Sequence, residues 1–357
     1  MNAPAFPTRV HVHAADLTDA AVRARIDGFV ADHPDATPFH RTAWTIATAR
    51  GAGQRPHLLI AESGEGVLRG ILPLTETHSP LFGRALVSTG FGVDGGILAE
   101  SDRWAQPLAD AAVMLSHSLT CPTVELRGGL APGEGWLVDG HTYLGHVRPL
   151  AADDAAELLA IPRKQRAEVR KGLDRGLGVR TGVSAADRAA HYAVYAESVR
   201  NLGTPVFPRA LFDAVLDAFG PDADILTILD GDRPVASVLS LYWRGTVYPY
   251  WGGGTHAARA LRANDILYYA LMGHARARGC TRFDFGRSKA GTGAAAFKKN
   301  WGFDPQPLAY FKRGWPGVPL REVNPLSPRY RLQVAAWQRL PLGIANRVGP
   351  WIARGLG

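Results

Sequence analysis

Residues 281–293 combine a carboxylate inside an apolar strand with a loop of cations and glycines. Asp284 lies between two phenylalanines, where desolvation raises the pKa of a carboxyl toward the range of a general base. The loop after it leads into a helix, and such a loop exposes backbone N–H groups and the positive end of the helix dipole. The sequence therefore predicts an anion or phosphate site formed by Arg287, Lys289, Gly291 and Gly293. A structural carboxylate and a solvated basic loop are the alternatives.

The run 163–180 is the second concentration of charge, with seven basic residues against two acidic ones. Arg166 and Arg170 share one face of the helix expected there, and arginine pairs well with the phosphates of a tRNA, a nucleotide-linked sugar or a polyprenyl carrier. A solvated helix between two domains explains the same pattern. Asp94, in the glycine loop 90–96, is a candidate for substrate contact or for the carboxylate of an Asx turn.

Several chemistries are excluded because the residues that they require are missing from the sequence. His11 and His13 have i, i+2 spacing on a strand but no third ligand nearby, so no metal site is expected. Cys121 and Cys280 cannot form a disulfide framework or a complete zinc site by themselves. The chain also lacks the G-x-S-x-G motif of a serine hydrolase and the Lys-Ser or Lys-Thr ending of a Walker A loop.

The elements that must position these residues occur in an order that repeats. Each half of the chain shows a β-hairpin, a glycine turn, a helix, a cysteine and a strand with an acidic residue at its centre. Cys121 aligns with Cys280 at an offset of 159 residues, and the same offset carries Glu125 onto Asp284. Agreement of element order and spacing indicates a tandem duplication.

The fold class expected from this repeat is α/β (mixed α+β), with two domains that each contain a mixed twisted sheet flanked by helices. The expected boundaries are 1–150 for the first domain and 151–322 for the second, which carries the principal active face. Residues 323–357 form a basic, aromatic tail that holds five arginines and no acidic residue.

Composition limits the environment and the partners of the chain. Its 357 residues carry a formal net charge of +8, and the predicted pI is near 9.7, which favours an anionic partner. The N-terminal residues do not form a signal peptide, and no apolar run is long enough to span a membrane, so a cytoplasmic location is expected.

The segments that contain the candidate catalytic and binding residues resemble one protein family. The stretch FDFGRSKAGTGAAAFKKNWGF, followed by PLAYF, looks like the C-terminal signature of FemAB-family proteins associated with exosortase and PEP-CTERM systems. The stretches LLIAE, GILPL and FGRALVSTGFGVDGGILAE are similar to the first-domain signature of the same group. The element order is similar to that of a GNAT-type N-acyltransferase in tandem. The resemblance covers roughly residues 10–320 and is most specific in 283–303.

The resemblance implies transfer of an activated acyl or aminoacyl group to an amine, with no metal and no bound cofactor. A base must take the proton of the attacking amine, and Asp284 is the candidate for this role. Fixed donors must stabilise the oxyanion, usually backbone N–H groups on a splayed strand. That strand would be 246–251, where Pro249 interrupts the ladder and Tyr250 is the catalytic candidate.

The donor stays open between acyl-CoA and aminoacyl-tRNA. GNAT enzymes that use coenzyme A carry Q/R-x-x-G-x-G/A before the helix, whereas this chain reads Arg259-Ala-Leu-Arg262-Ala-Asn264 and lacks both glycines. The expected acceptor is an anionic small molecule or a carrier-linked substrate in exopolysaccharide or cell-envelope biosynthesis. A non-catalytic binding module for an anionic glycan carrier or RNA is the alternative function. The sequence leaves the oligomeric state open.

The tail 323–357 is expected to contact the anionic inner face of the membrane. Tyr330, Val334 and Trp337 fall at i, i+4 and i+7 of a helix, and arginines surround these aromatic residues. The alternative is that the same side chains fold back onto the second domain.

Overall fold

A computed structural model of the chain describes residues 10–321 and 331–357. The chain divides into two compact units. Unit 1 comprises Met1–Asp139, Ala309–Glu322 and Gly355–Gly357, and unit 2 comprises Gly140–Leu308 and Val323–Arg354. Each unit holds one mixed sheet with helices packed on it.

The first part of the chain alternates strands and helices. Its elements are β1 (Val10–Ala14), α1 (Ala20–Asp32), a 3₁₀ turn (Pro38–His40), α2 (Thr42–Ala52), β2 (Arg55–Ser63), β3 (Leu68–Ser79), β4 (Gly83–Ser88), β5 (Leu98–Ala99), α3 (Asp102–Ser118), β6 (Thr123–Arg127) and β7 (Leu137–Asp139).

The middle part of the chain forms unit 2. Its elements are β8 (Tyr143–Pro149), α4 (Asp154–Ala160), α5 (Arg163–Leu173), β9 (Gly178–Gly182), α6 (Ala185–Asn201), α7 (Arg209–Phe219), a 3₁₀ turn (Gly220–Asp222), β10 (Ala223–Asp230), β11 (Arg233–Trp243), β12 (Thr246–Gly254), α8 (Ala258–Leu261), α9 (Ala263–Ala277), β13 (Arg282–Asp284), β14 (Ser288–Lys289), α10 (Gly293–Asn300) and β15 (Pro305–Pro307). The last described elements of the chain are β16 (Tyr310–Gly314), α11 (Arg331–Arg339) and α12 (Leu342–Ala353).

Seven strands of each sheet occupy corresponding positions, and an eighth lies off that path, where β5 pairs with β3 and β15 pairs with β8. In unit 1 the strand order is β1-β2-β3-β4-β6-β16-β7, and in unit 2 it is β9-β10-β11-β12-β13-β8-β14. In both, the fourth and fifth strands pair in parallel, and a long helix connects them. The predicted fold of two tandem mixed sheets is confirmed, and Glu125 on β6 and Asp284 on β13 lie on equivalent strands.

The sixth strand of each sheet comes from a distant part of the sequence. β8 precedes unit 2 in the chain and pairs with β13, whereas β16 follows the whole of unit 2 and pairs with β6. The units therefore differ from the domains expected at 1–150 and 151–322, because residues 143–149 belong to the second sheet and 310–314 to the first. A strand is assigned by its backbone partners, and no local pattern in these short segments specifies partners so distant in the sequence.

The tail expected at 323–357 forms two helices on unit 2 where the structure describes it. α11 and α12 both contact α6, and Val334 lies so close to Gly203 that a Cβ there would overlap it. Tyr330, one of the predicted aromatic contacts, lies outside the described residues.

Within the described residues, no helix has the length and apolar character needed to cross a membrane.

Candidate functional site

Strand β12 is irregular at the place where the sequence predicts a splayed strand. Leu239 of β11 faces Trp251, but the next residue of β11 faces Pro249, so Tyr250 is the extra residue of a β-bulge. The parallel ladder between β12 and β13 ends at Val247 opposite Phe283. Among the described residues, no further ladder pair joins the two strands, as a splay beginning near Pro249 requires.

Three consecutive glycines follow the bulge, and their lack of side chains permits close packing. A Cβ on Gly253 would overlap Ser198 Oγ of α6, and one on Gly254 would lie 2.6 Å from Asn264 Oδ1. The backbone of 252–254 therefore forms a wall against which other elements lie directly.

The connection from β12 to α9 contains the two positions where the coenzyme A motif has glycine. Arg262 stands at the first and adopts a left-handed backbone with φ of +58°, which suits glycine better than arginine. Its guanidinium forms an ion pair with Glu168 of α5 at 2.8 Å. Asn264 stands at the second position, one residue inside the N-terminus of α9.

A cavity of about 850 Å³ opens at this junction. Its walls come from the end of α6, the glycines of β12, the connection to α9, and one aromatic residue each from α9 and α10: Ser198, Asn201, Leu202, Gly252, Gly253, Gly254, Thr255, His256, Ala257, Arg259, Ala260, Arg262, Asn264, Tyr268 and Phe297. Thr255 is 9% exposed. Thr255 Oγ1 and Asn264 Oδ1 are buried and have no hydrogen-bond partner among the described residues.

The cavity has a positive rim. Arg259 is exposed, and Arg262 is the second cation in the wall. The N-terminal end of the 15-residue helix α9 contributes a partial positive charge at the same place. Two unpartnered polar groups and this charge suit a ligand that carries phosphate and hydrogen-bonding groups.

An aromatic layer closes one side of the cavity. The Tyr268 ring lies 4.6 Å from the ring of Phe285 and 5.8 Å from that of Phe297, measured between centroids. Burial raises the pKa of Tyr268 to about 12, so its hydroxyl stays protonated at neutral pH and can donate a hydrogen bond to a ligand.

Asp284 and Lys298 lie close enough for the charge of each to affect the pKa of the other. Asp284 Oδ1 accepts the N–H of Gly286 at 2.8 Å, and Lys298 Nζ donates to the carbonyl oxygens of Gly286 and Arg287 at 3.1 and 2.9 Å. Burial raises the pKa of Asp284 to about 6, against the opposing effects of the Gly286 N–H and the Lys298 charge. Burial lowers the pKa of Lys298 to about 8. The pair therefore changes charge near neutral pH, as acid–base catalysis requires.

A third titratable group lies beside the pair. The ring of His146 on β8 is fully buried, and the carbonyl of His146 accepts the N–H of Phe285 at 2.8 Å. Burial, and then the charge of Lys298, lower the pKa of His146, so this ring stays neutral at physiological pH.

The residues of the predicted anion loop contact other parts of unit 2. Arg287 stacks over the ring of Tyr143 at 4.6 Å. Thr292 caps α10 by accepting the N–H of Ala295 at 3.4 Å, so a side chain already occupies the N-terminus offered by Gly291 and Gly293. Lys289 pairs with β8 through its backbone. None of the four predicted loop residues is among the cavity-lining residues, and an anion site at this loop remains a prediction.

The other predicted binding residues also lie away from the cavity walls. Arg166 donates to the carbonyls of Leu159 and Ile161 and so caps the end of α4, whereas Arg170 is exposed on α5. Asp94 belongs to unit 1, where its backbone carbonyl accepts the Thr37 hydroxyl at 2.6 Å. A ligand role for these three residues stays a prediction.

Sequence reasoning did not single out Thr255 and Tyr268 in the cavity wall, or Lys298 near Asp284. The sequence signal for Arg262 and Asn264 was the incomplete coenzyme A motif at 259–264, where these two residues replace its glycines. Thr255, Tyr268 and Lys298 carry no motif, and only their burial in the folded chain distinguishes them.

Comparisons with known proteins agree with this geometry. Residues 163–299 match the family described as Acetyltransferase (GNAT) domain, and this range contains the cavity and the Asp284–Lys298 pair. No curated protein matches the chain.

Solved structures similar to this chain include tandem domains of the same kind. FemX is 16% identical with a TM-score of 0.64, over 82% of this chain and 96% of its own. A tandem GNAT protein from the clavulanic acid biosynthesis pathway is 13% identical with a TM-score of 0.56, over 87% and 100%. The C-terminal domain of a putative lysylphosphatidylglycerol synthetase from Agrobacterium fabrum is 14% identical with a TM-score of 0.53, over 82% and 92%.

These likenesses establish the fold class. Residues 163–299 of unit 2 match a GNAT acetyltransferase domain, and the chain as a whole has a tandem GNAT-like fold.

Proposed function

We propose that unit 2 transfers an activated acyl or aminoacyl group to an amine and holds the phosphate-bearing part of the donor in the cavity at the start of α9. The observation that carries this proposal is the cavity itself, which joins a bulged, splayed strand to a positive rim. Buried oxygens of Thr255 and Asn264, which have no hydrogen-bond partner among the described residues, offer hydrogen bonds to the donor.

The reaction follows from the groups around the bulge. The amine nitrogen attacks the acyl carbonyl carbon, so a C–N bond forms and the bond to the leaving sulfur or oxygen breaks. Backbone groups near Tyr250, where β12 has left β13, stabilise the oxyanion. Asp284 is the proposed base for the amine proton, which reaches it directly or through water, and the leaving group is protonated on departure.

The donor is either an acyl-CoA or an aminoacyl-tRNA, and both present phosphates to the same rim. Arg259 and Arg262 suit the pyrophosphate of the first. The exposed basic residues of α5, among them Arg170, would extend the contact to the backbone of the second. The link to exosortase systems and to exopolysaccharide or envelope synthesis rests on the motif in residues 283–303 and is proposed on that ground.

The test is donor binding by isothermal titration with acetyl-CoA and, separately, with charged tRNA. We expect one of these donors to bind, and Thr255→Val combined with Asn264→Ala to weaken it about tenfold, as the loss of two hydrogen bonds implies. Thr45→Val is the matched control, since Thr45 of unit 1 is also a buried threonine whose hydroxyl has no partner among the described residues.

The other possible results of this titration have different meanings. Binding of neither donor, or binding that the cavity variants leave unchanged, contradicts the proposal. Binding without transfer to any of a panel of small amines indicates the alternative function of a non-catalytic binding module.

A further inference from the structure

Helix α12 presents an apolar face to solvent. Ile344, Val348 and Trp351 are 51%, 40% and 48% exposed. They fall at i, i+4 and i+7, so they lie on one side of the helix. The opposite side, with Ala345 and Ala353 buried, packs against unit 2. We refer to the exposed side, residues 344, 347, 348 and 351, as the α12 face.

The α12 face is attached to the element that lines the cavity. α12 contacts α6, and a Cβ on Gly349 would lie 3.1 Å from the backbone nitrogen of Val206. α11 is fixed to the end of α6, because Arg200 donates to the carbonyl of Gln338 at 3.0 Å and the Gln338 amide donates to that of Asn201 at 3.2 Å. Asn201 is itself part of the cavity wall.

The charge around this face indicates its partner. Arg347 is exposed on the face between the apolar residues, and the sequence of α12 contains no acidic residue. A second copy packed on the same face would bring Arg347 close to its own counterpart, and like charges repel. An anionic lipid surface offers complementary headgroups to arginine and an interface that tryptophan prefers.

We propose that the α12 face binds an anionic lipid surface, with the helix lying in the plane of the interface. The three apolar side chains would enter the boundary between headgroups and acyl chains, and Arg347 would contact lipid phosphates. This inference goes beyond the proposed acyl transfer and does not depend on it, because binding to lipid requires neither donor nor turnover.

The experiment uses the full chain and sucrose-loaded vesicles that are sedimented. One set contains phosphatidylcholine alone, and the other contains equal parts of phosphatidylcholine and phosphatidylglycerol. We expect binding to the anionic set only. Ile344→Ser combined with Trp351→Ser should weaken it at least about tenfold, and Arg347→Gln about fivefold. Met114→Ser, at a 67% exposed position in unit 1, should leave it unchanged.

Several results would overturn the inference: no binding to anionic vesicles, equal binding to neutral ones, or equal binding by the apolar double variant. Self-association of the chain that is lost in the double variant would assign the face to a second copy instead. If the double variant has a lowered thermal midpoint, Arg347→Gln decides, since a change at an exposed charged position leaves the packing of α12 intact.

Discussion

The two units have corresponding main sheet strands but differ at two equivalent places. These are the strand that carries the acidic residue and the connection after the fourth strand. On β6 of unit 1, Glu125 forms ion pairs with Arg127 at 2.8 Å and Lys312 at 3.7 Å. On β13 of unit 2, burial raises the pKa of Asp284 to about 6. The equivalent strand therefore carries a structural ion pair in one unit and a titratable group in the other.

The connection that follows the fourth strand of the sheet also differs between the two units. In unit 1 the loop after β4 is tied down, because the Arg127 guanidinium donates to the carbonyls of Thr89 and Gly92 and the Tyr310 hydroxyl donates to that of Val93. In unit 2 the corresponding connection lines an open cavity with unpartnered oxygens. The comparison teaches that, within the described residues, similar sheets carry an internally hydrogen-bonded loop in unit 1 and a cavity-lining connection in unit 2.

The largest effect is expected from exchanging the two acidic residues for their amides. Asp284→Asn keeps an acceptor for the Gly286 N–H but removes the proposed base, so turnover should fall about 10²- to 10⁴-fold while donor binding is retained. Glu125→Gln should leave turnover unchanged and cost about 1–3 kcal/mol of stability, because it weakens the pairing of buried Arg127. Steady-state kinetics and urea unfolding measure both. Equal loss of turnover in the two variants would refute the division of roles.

The pH dependence of the free energy of unfolding tests the raised pKa of Asp284. The pKa of Asp284 in the folded protein, about 6, lies above the ordinary value of 3.8, so the folded state binds this proton more tightly. Stability should fall as the pH rises from 3.8 to about 6, by about 2–3 kcal/mol more in the wild type than in Asp284→Asn. Urea unfolding at several pH values measures this difference. Parallel pH curves for the two proteins would show that Asp284 is solvated.

The smallest effect on activity is expected from removing the hydroxyl group of one of two adjacent tyrosines in α9. Tyr268 lines the cavity, whereas the Tyr269 hydroxyl donates to the carbonyl of Asp154 at 2.8 Å, away from the cavity walls. Tyr268→Phe removes one hydrogen bond to the ligand and should lower kcat/KM about five- to tenfold, while Tyr269→Phe leaves kcat/KM unchanged. An identical response of the two variants would mean that the cavity does not hold the substrate.

The sequence predicted features that rest on local pattern. The offset that aligns Glu125 with Asp284 identified equivalent strands, and Pro249 marked the strand that bulges. The exchange of β8 and β16 between the sheets could not be predicted, because pairing between distant short strands leaves no local signal. Lys298 was visible as a basic residue, but its coupling to Asp284 depends on burial that only the packed chain creates.

The glycine-rich loop and the cavity lie at the N-termini of two different helices. Gly291 and Gly293 precede α10 as predicted, yet the Thr292 side chain caps that helix itself. The cavity opens instead at the N-terminus of α9, where arginine and asparagine replace the glycines of the motif. Side-chain packing determines which helix N-terminus is accessible to a ligand. The spacing of glycines in the sequence does not reveal which one this is.

The number of donor molecules bound per chain tests the central claim most directly. Titration of the full chain with the donor that binds should give one site, and Asn264→Ala should weaken that site while Asp94→Asn leaves it intact. Two sites per chain, or a single site that Asp94→Asn weakens and Asn264→Ala does not, would contradict the assignment of ligand binding to unit 2.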